Sequence, residues 1–145
     1  MPPARDPEHW LYRLDAAEWL AAADTELVAA ADKLRGHSLR AGVTHCRRGA
    51  GMALNALLLY DLRPDWGRSY MEHVVALAQS SGDTTPAEVV EAAQRLRAAP
   101  TQAPPLVQLG RRGELDPTSA AVLDAARTII GWVRARLAAL AAAVN

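Results

Sequence analysis

The stretch "GAGMALNALLLY", residues 49–60, decides the fold, because its apolar residues do not keep to one side of a helix. Read with the residues before it, one stripe is Val43, Cys46, Ala50, Ala53, Leu54 and Leu57. A second, Met52, Ala56 and Leu59, follows His45 and Gly49 on the other side. A helix with two apolar faces has two neighbours to satisfy. From a cap at Ser38 to about Tyr60, this segment is expected to be the central helix of a bundle, or a helix that also meets a second subunit. Gly49 and Gly51 would permit close approach, at a cost of about 1 kcal/mol each in helix propensity relative to Ala.

Upstream, from Glu8 to Arg35, Tyr12, Ala16, Trp19, Leu20, Ala23, Leu27, Ala30 and Leu34 recur at steps of three and four, with Asp15, Glu18, Glu26, Asp32 and Lys33 opposite. The spacing predicts one long amphipathic helix, closed by Arg35 at its negative pole and by Gly36 in the left-handed conformation. Downstream, "SYME" (69–72) is a capping box: Ser69 accepts from the amide of Glu72, and Glu72 reaches back to the amide of Ser69. That helix runs to Gln79. "TPAE" (85–88) repeats the signal, with Thr85 as cap, Pro86 at the first helical position and Glu88 closing the box. Residues 99–115, "APTQAPPLVQLGRRGEL", hold three prolines and no helical period, as a surface strap or a functional loop would. Asp116 then caps, and Pro117 opens, a long helix to about Val144.

No run alternates in the manner of a strand. The expected fold is all-α: a single domain over 1–145, an up-and-down bundle of about five helices, with two long terminal helices, one long central helix and two short ones between.

The composition is half hydrophobic, with no Phe, so closely packed helices rich in Ala, Leu and Val are expected. Sixteen basic residues balance sixteen acidic ones. No global field draws the protein to nucleic acid or to an anionic membrane, and there is no strong DNA-binding signal. One cysteine and four scattered histidines make no recognisable zinc site, so neither a metal nor another cofactor is expected. No stretch approaches the ~20 apolar residues of a bilayer span, and cytoplasmic residence is the default.

The order of the pieces resembles the HEPN superfamily of small helical bundles. The likeness lies in "AADTELVAAADKL" (22–34), "GAGMALNALLLY" (49–60), "MEHVVALA" (71–78) and "DAARTIIGWVRARL" (124–137), in that order and spacing. The resemblance implies a helical bundle, frequently a homodimer, in a family that ranges from metal-independent ribonucleases to non-catalytic modules for nucleotide, RNA or a partner protein. Its ribonucleases carry an Arg-x(4–6)-His motif near the start of a helix in the C-terminal half. Here the last helix has no histidine, and the lysine that many relatives carry in the second helix is replaced by Asn55.

Two Arg-x4-His spacings exist elsewhere, Arg40 with His45 and Arg68 with His73. The chemistry would be a histidine moving a proton beside an arginine that holds phosphate. Residues five apart on a regular helix point about 140° apart, so the spacing works only where the arginine lies outside the regular turn. Arg40 is expected inside the second helix; His45 then reads as a packing or interface histidine, and Cys46 as a small buried hydrophobe. Arg40, His45, Arg47 and Arg48 remain candidate ligand-binding residues, set against a plain solvated face. Arg68 precedes the Ser69 cap and His73 is the fourth helical residue, positions whose side chains meet in a hydrophobic staple. The pair is expected to be close, beside free amides at the positive end of a helix. The alternative is a solvated Arg68 paired with Glu72, and a His73 packed under Trp66. The first function expected is a non-catalytic binding or assembly module. The others are a metal-independent ribonuclease or toxin using Arg68 and His73, and a structural subunit of a larger complex.

Overall fold

In the computed structural model, which describes residues 10–80, 85–102 and 113–144, the described residues form five α-helices. They are α1 (Ala16–Arg35), α2 (Leu39–Leu58), α3 (Tyr70–Ala78), α4 (Ala87–Arg97) and α5 (Pro117–Val144), with 3-10 turns at Trp10–Arg13 and Pro64–Trp66. No strand occurs among the described residues. The fold is an all-α bundle.

The two-faced pattern of α2 has its outcome in packing: every residue from Gly49 to Leu59 is buried. One side meets α1, another α5, and a third α3, with α4 closing the bundle against α3 and α5. The second stripe, Met52, Ala56 and Leu59, is therefore covered within one chain and needs no second subunit to bury it. Glycine sets the spacing. A Cβ on Gly42 would run into the Leu34 side chain, and one on Gly51 into both the side chain and the backbone of Tyr70. At Gly49 a Cβ would stand 3.3 Å from the Ala23 carbonyl oxygen and from the Glu26 Cβ. α1 and α3 thus lie on the α2 backbone at distances that side chains would forbid.

Helix ends are where local chemistry departs from the expected boundaries. The long first helix is split: Trp10–Arg13 forms a 3-10 turn, and α1 starts only after Asp15, whose Oδ1 accepts from the Glu18 amide at 2.8 Å while Glu18 Oε1 accepts from the Asp15 amide at 3.0 Å. Residues 8 and 9 of the expected helix lie outside the described residues. At the other end of α1 it is not Gly36 that turns left-handed but His37, at φ 61°, while Gly36 stays at φ −82°. The amides of His37 and Ser38 donate to the carbonyls of Leu34 and Lys33 at 3.0 and 2.8 Å, the paired bonds of a Schellman motif with His37 in the position glycine usually takes. Ser38 precedes α2 but its hydroxyl caps nothing. For α4 the cap is Pro86 rather than Thr85, with no side-chain bond.

α3 and α5 begin where expected. Asp116, buried beneath the start of α5, accepts from the Ser119 amide at 2.9 Å and from its hydroxyl at 2.8 Å. Burial opposes its charge, but these bonds and the Thr118 amide outweigh burial and hold the carboxyl below the ordinary aspartate value. The strap expected over 99–115 falls largely at 103–112, outside the described residues, as does most of the turn expected at 80–83.

Two glycine substitutions separate the packing constraint from helix propensity. Gly51→Ala gains helix propensity but overlaps Tyr70, and its net effect is expected to be destabilisation by about 1–3 kcal/mol. Gly131→Ala, where nothing lies within 4 Å of the new Cβ, should stabilise by about 0.5–1 kcal/mol. Denaturant unfolding of the two variants against the parent reads both.

Candidate functional site

The start of α3 is built by its capping box, and the box uses the groups a ligand would need. Ser69 Oγ accepts from the Glu72 amide at 3.1 Å; Glu72 Oε2 accepts from the Ser69 amide at 3.4 Å and, more closely, from the Arg68 amide at 2.7 Å. The Glu72 carboxylate thus sits where an anion would sit at a helix N-terminus. Those two amides hold its carboxyl below the ordinary glutamate value. The amides of Ser69 and Glu72 are taken as the capping box requires, and the Arg68 amide is taken as well. Glu72 does pair with Arg68, but through the backbone amide. Gly67, at φ 76°, closes the turn, and a Cβ there would collide with the Glu72 carboxylate.

His73, the fourth residue of α3, is completely buried at 0 % exposure. Its ring stacks on Trp10, with centroids 5.7 Å apart and planes 26° apart, and its Nε2–H donates to the Gly67 carbonyl at 3.1 Å. The aromatic cover is Trp10, from the N-terminal 3-10 turn, and not Trp66, whose own ring lies 5.3 Å below the Arg63 guanidinium. Trp19 fastens that turn to α1 by donating its indole N–H to the Leu11 carbonyl at 3.0 Å. Arg68 is exposed, and no hydrogen bond or ion pair joins its side chain to His73. Burial pulls the His73 pKa below the ordinary histidine value, against the carbonyls of Gly67 and Gly51 and the charge of Glu72, which favour the proton. A fully buried ring with its Nε2–H committed to the Gly67 carbonyl is not placed to exchange protons with a substrate in solution. One turn after Gly51 on α2 lies Asn55, fully buried, with neither polar atom of its side chain partnered among the described residues.

The four candidate ligand-binding residues of α2 divide. Arg47 turns to α4, donating from Nε to the Leu96 carbonyl at 3.1 Å and from Nη2 to those of Arg97 and Ala99 at 3.0 and 3.4 Å. It neutralises the negative end of α4 and is a clamp between helices. Arg40, His45 and Arg48 instead line one groove of about 620 Å³ with Leu39, Ala41 and Thr44. Glu26 of α1, its side chain 13 % exposed, holds two of them: His45 Nδ1–H donates to Oε2 at 2.6 Å, and Arg48 Nη2 forms an ion pair with Oε1 at 3.3 Å. The Arg40 guanidinium has no hydrogen bond or ion pair among the described residues. The first turn of α2 carries neither an acidic residue nor a side-chain cap.

Glu26 and Trp10 are the two site residues that local patterns missed. Each acts across a long sequence separation, 19 residues from Glu26 to His45 and 63 from Trp10 to His73. Cys46 offers no nucleophile, since burial pushes its thiol up to about 12, with Arg127 only a minor opposing influence. Among the described residues no three potential metal ligands gather, and no helix is long and apolar enough to cross a membrane.

The depressed pKa of His73 sets a pH dependence. Because the folded value lies below the unfolded one, the unfolded chain takes up the proton first. Stability from the neutral ring is complete above about pH 6.5 and falls as pH drops from there toward the folded value. Melting curves at pH 8 and pH 5 should show parent stability falling with acid. His73→Gln should be less stable at pH 8 but lose that part of the slope.

Comparison with models of protein families, with curated proteins and with solved structures gave no match.

Proposed function

We propose that this bundle is a non-catalytic, HEPN-like binding module that takes the phosphates of RNA or a nucleotide in the groove along the first half of α2. The observation that carries the reading is the convergence of Arg40, Arg48 and His45 on one groove at a helix start with no cap of its own. Free amides and the positive helix pole favour an anion there. Arg40 supplies an uncommitted guanidinium fork, suited to phosphate geometry. Glu26 fixes the orientation of His45 and Arg48, so the groove is ordered before any ligand arrives. The burial of His73 under Trp10 supports the non-catalytic side of the reading, because the ribonuclease alternative requires His73 and Arg68 to converge in an open cleft.

Two measurements test it. Single-stranded RNA incubated with the pure protein in EDTA should remain intact; cleavage that disappears in His73→Ala would overturn the non-catalytic reading. In anisotropy titrations with a labelled single-stranded RNA, Arg40→Gln and Arg48→Gln should each weaken binding several-fold and lower the slope of log affinity against log salt by about 1. Arg47→Gln should cost stability and leave that slope unchanged. Binding insensitive to Arg40 and Arg48 would remove the groove from the account.

A further inference from the structure

A second cleft lies at the other end of α1, away from the groove on α2. It has a volume of about 440 Å³ and is lined by Trp10, Arg13, Trp19, Arg68, Ser69 and Tyr70. Three of the six lining residues are aromatic, two are arginines, and none is a carboxylate.

Each part of the cleft is held by a different piece of the fold. Trp10 is fixed by its stack on His73, and Trp19 by its bond to the Leu11 carbonyl, so the aromatic walls are ordered without a ligand. Arg13 ends the 3-10 turn and Arg68 precedes the α3 cap, which places two exposed guanidinium-bearing residues on the rim. Neither guanidinium is engaged by a hydrogen bond or an ion pair among the described residues. Three carboxylates close by are committed to backbone: Asp15 and Glu18 accept from each other's amides at the start of α1, and Glu72 from the amides of Arg68 and Ser69 at the start of α3.

We infer that this cleft binds a small planar aromatic molecule carrying a phosphate or carboxylate. The rings of Trp10 and Tyr70 supply an apolar wall suited to an aromatic body. The guanidinium forks of Arg13 and Arg68 supply the planar donors that recognise an oxyanion. The Glu72 carboxylate already fills the anion position at the head of α3, so here the oxyanion is assigned to the arginines. The volume lies within the roughly 300–1,000 Å³ typical of small-molecule sites. Neither component suffices: the cleft has no closed apolar interior for a neutral ring, and two exposed arginines hold a bare oxyanion weakly in water.

The test is calorimetric titration of the full chain with 1-naphthyl phosphate, with inorganic phosphate and 1-naphthol as the two halves of the ligand. Binding of 1-naphthyl phosphate, with at least tenfold weaker binding of each half, is expected. Arg13→Gln and Arg68→Gln should each weaken it by about tenfold, with unchanged far-ultraviolet circular dichroism, since both side chains are exposed and outside the core. Arg40→Gln, which alters the α2 groove, should leave it unchanged, so failure of this site and failure of the α2 groove are read separately. Absence of binding at millimolar ligand, equal affinity for inorganic phosphate, or a loss caused by Arg40→Gln in place of Arg13→Gln and Arg68→Gln would each overturn the inference. Binding of a labelled single-stranded RNA that Arg13→Gln and Arg68→Gln weaken, without binding of 1-naphthyl phosphate, would overturn it in favour of a nucleic-acid surface.

Discussion

Everything in this molecule is arranged around a helix whose second half has no outside. Over its second half α2 is buried on every side, and a helix in that position can be covered only by neighbours that come close enough to leave no gaps. Gly49 and Gly51 allow this, and Gly42 does the same near the start of the helix, each sitting where a Cβ would press on α1 or α3. The helix loses some intrinsic propensity at each of them, and gains contact between α-helical backbones and small side chains in return. The same spacing positions the candidate sites: Gly51 brings α3 against α2 with His73 between them, and Gly49 brings α1 close enough for Glu26 to reach His45 and Arg48.

The start of α3 illustrates how one local device serves structure and constrains function together. The capping box brings a carboxylate to the positive end of the helix, where it stabilises the first turn and fills the place of an external anion. The histidine that follows is drawn under Trp10 and hydrogen-bonded to the turn that the box creates. An arginine and a histidine five positions apart are therefore separated in role: one is left on the surface beside an aromatic cleft, the other becomes part of the core. Asn55 is the feature this packing does not explain, since an unpartnered buried amide costs about 1–3 kcal/mol and nothing among the described residues offsets it.

Much of the architecture was legible because it rests on local rules. The double stripe of α2 called for two neighbours without saying whether one was a second subunit, the box at Ser69 and the Asp116–Pro117 pair marked true helix starts, and no alternating pattern suggested a strand. What was misread also has local causes. Apolar spacing continues across Leu14, which hid the box at Asp15 and Glu18, although "DAAE" is the same kind of signal as "SYME". Gly36 looked like the left-handed residue because glycine adopts that conformation freely, yet the hydrogen bonds of the turn place His37 there. The candidate sites were less legible than the fold. Whether Arg47 faces a ligand or the carbonyls of α4, and which tryptophan covers His73, depends on chain segments dozens of residues away, and no spacing within one helix reports that.

His73 belongs to the core that seals α3 against α2, and the recognition proposed above is left to the arginines outside it. Nitrogen-15 NMR of the imidazole ring tests this most directly, because the shifts of Nδ1 and Nε2 identify tautomer and protonation separately. A single neutral tautomer with its hydrogen on Nε2 is expected at pH 7, protonating below the ordinary histidine value of about 6.5. A ring that titrates at or above that value, with both tautomers in exchange, would contradict it.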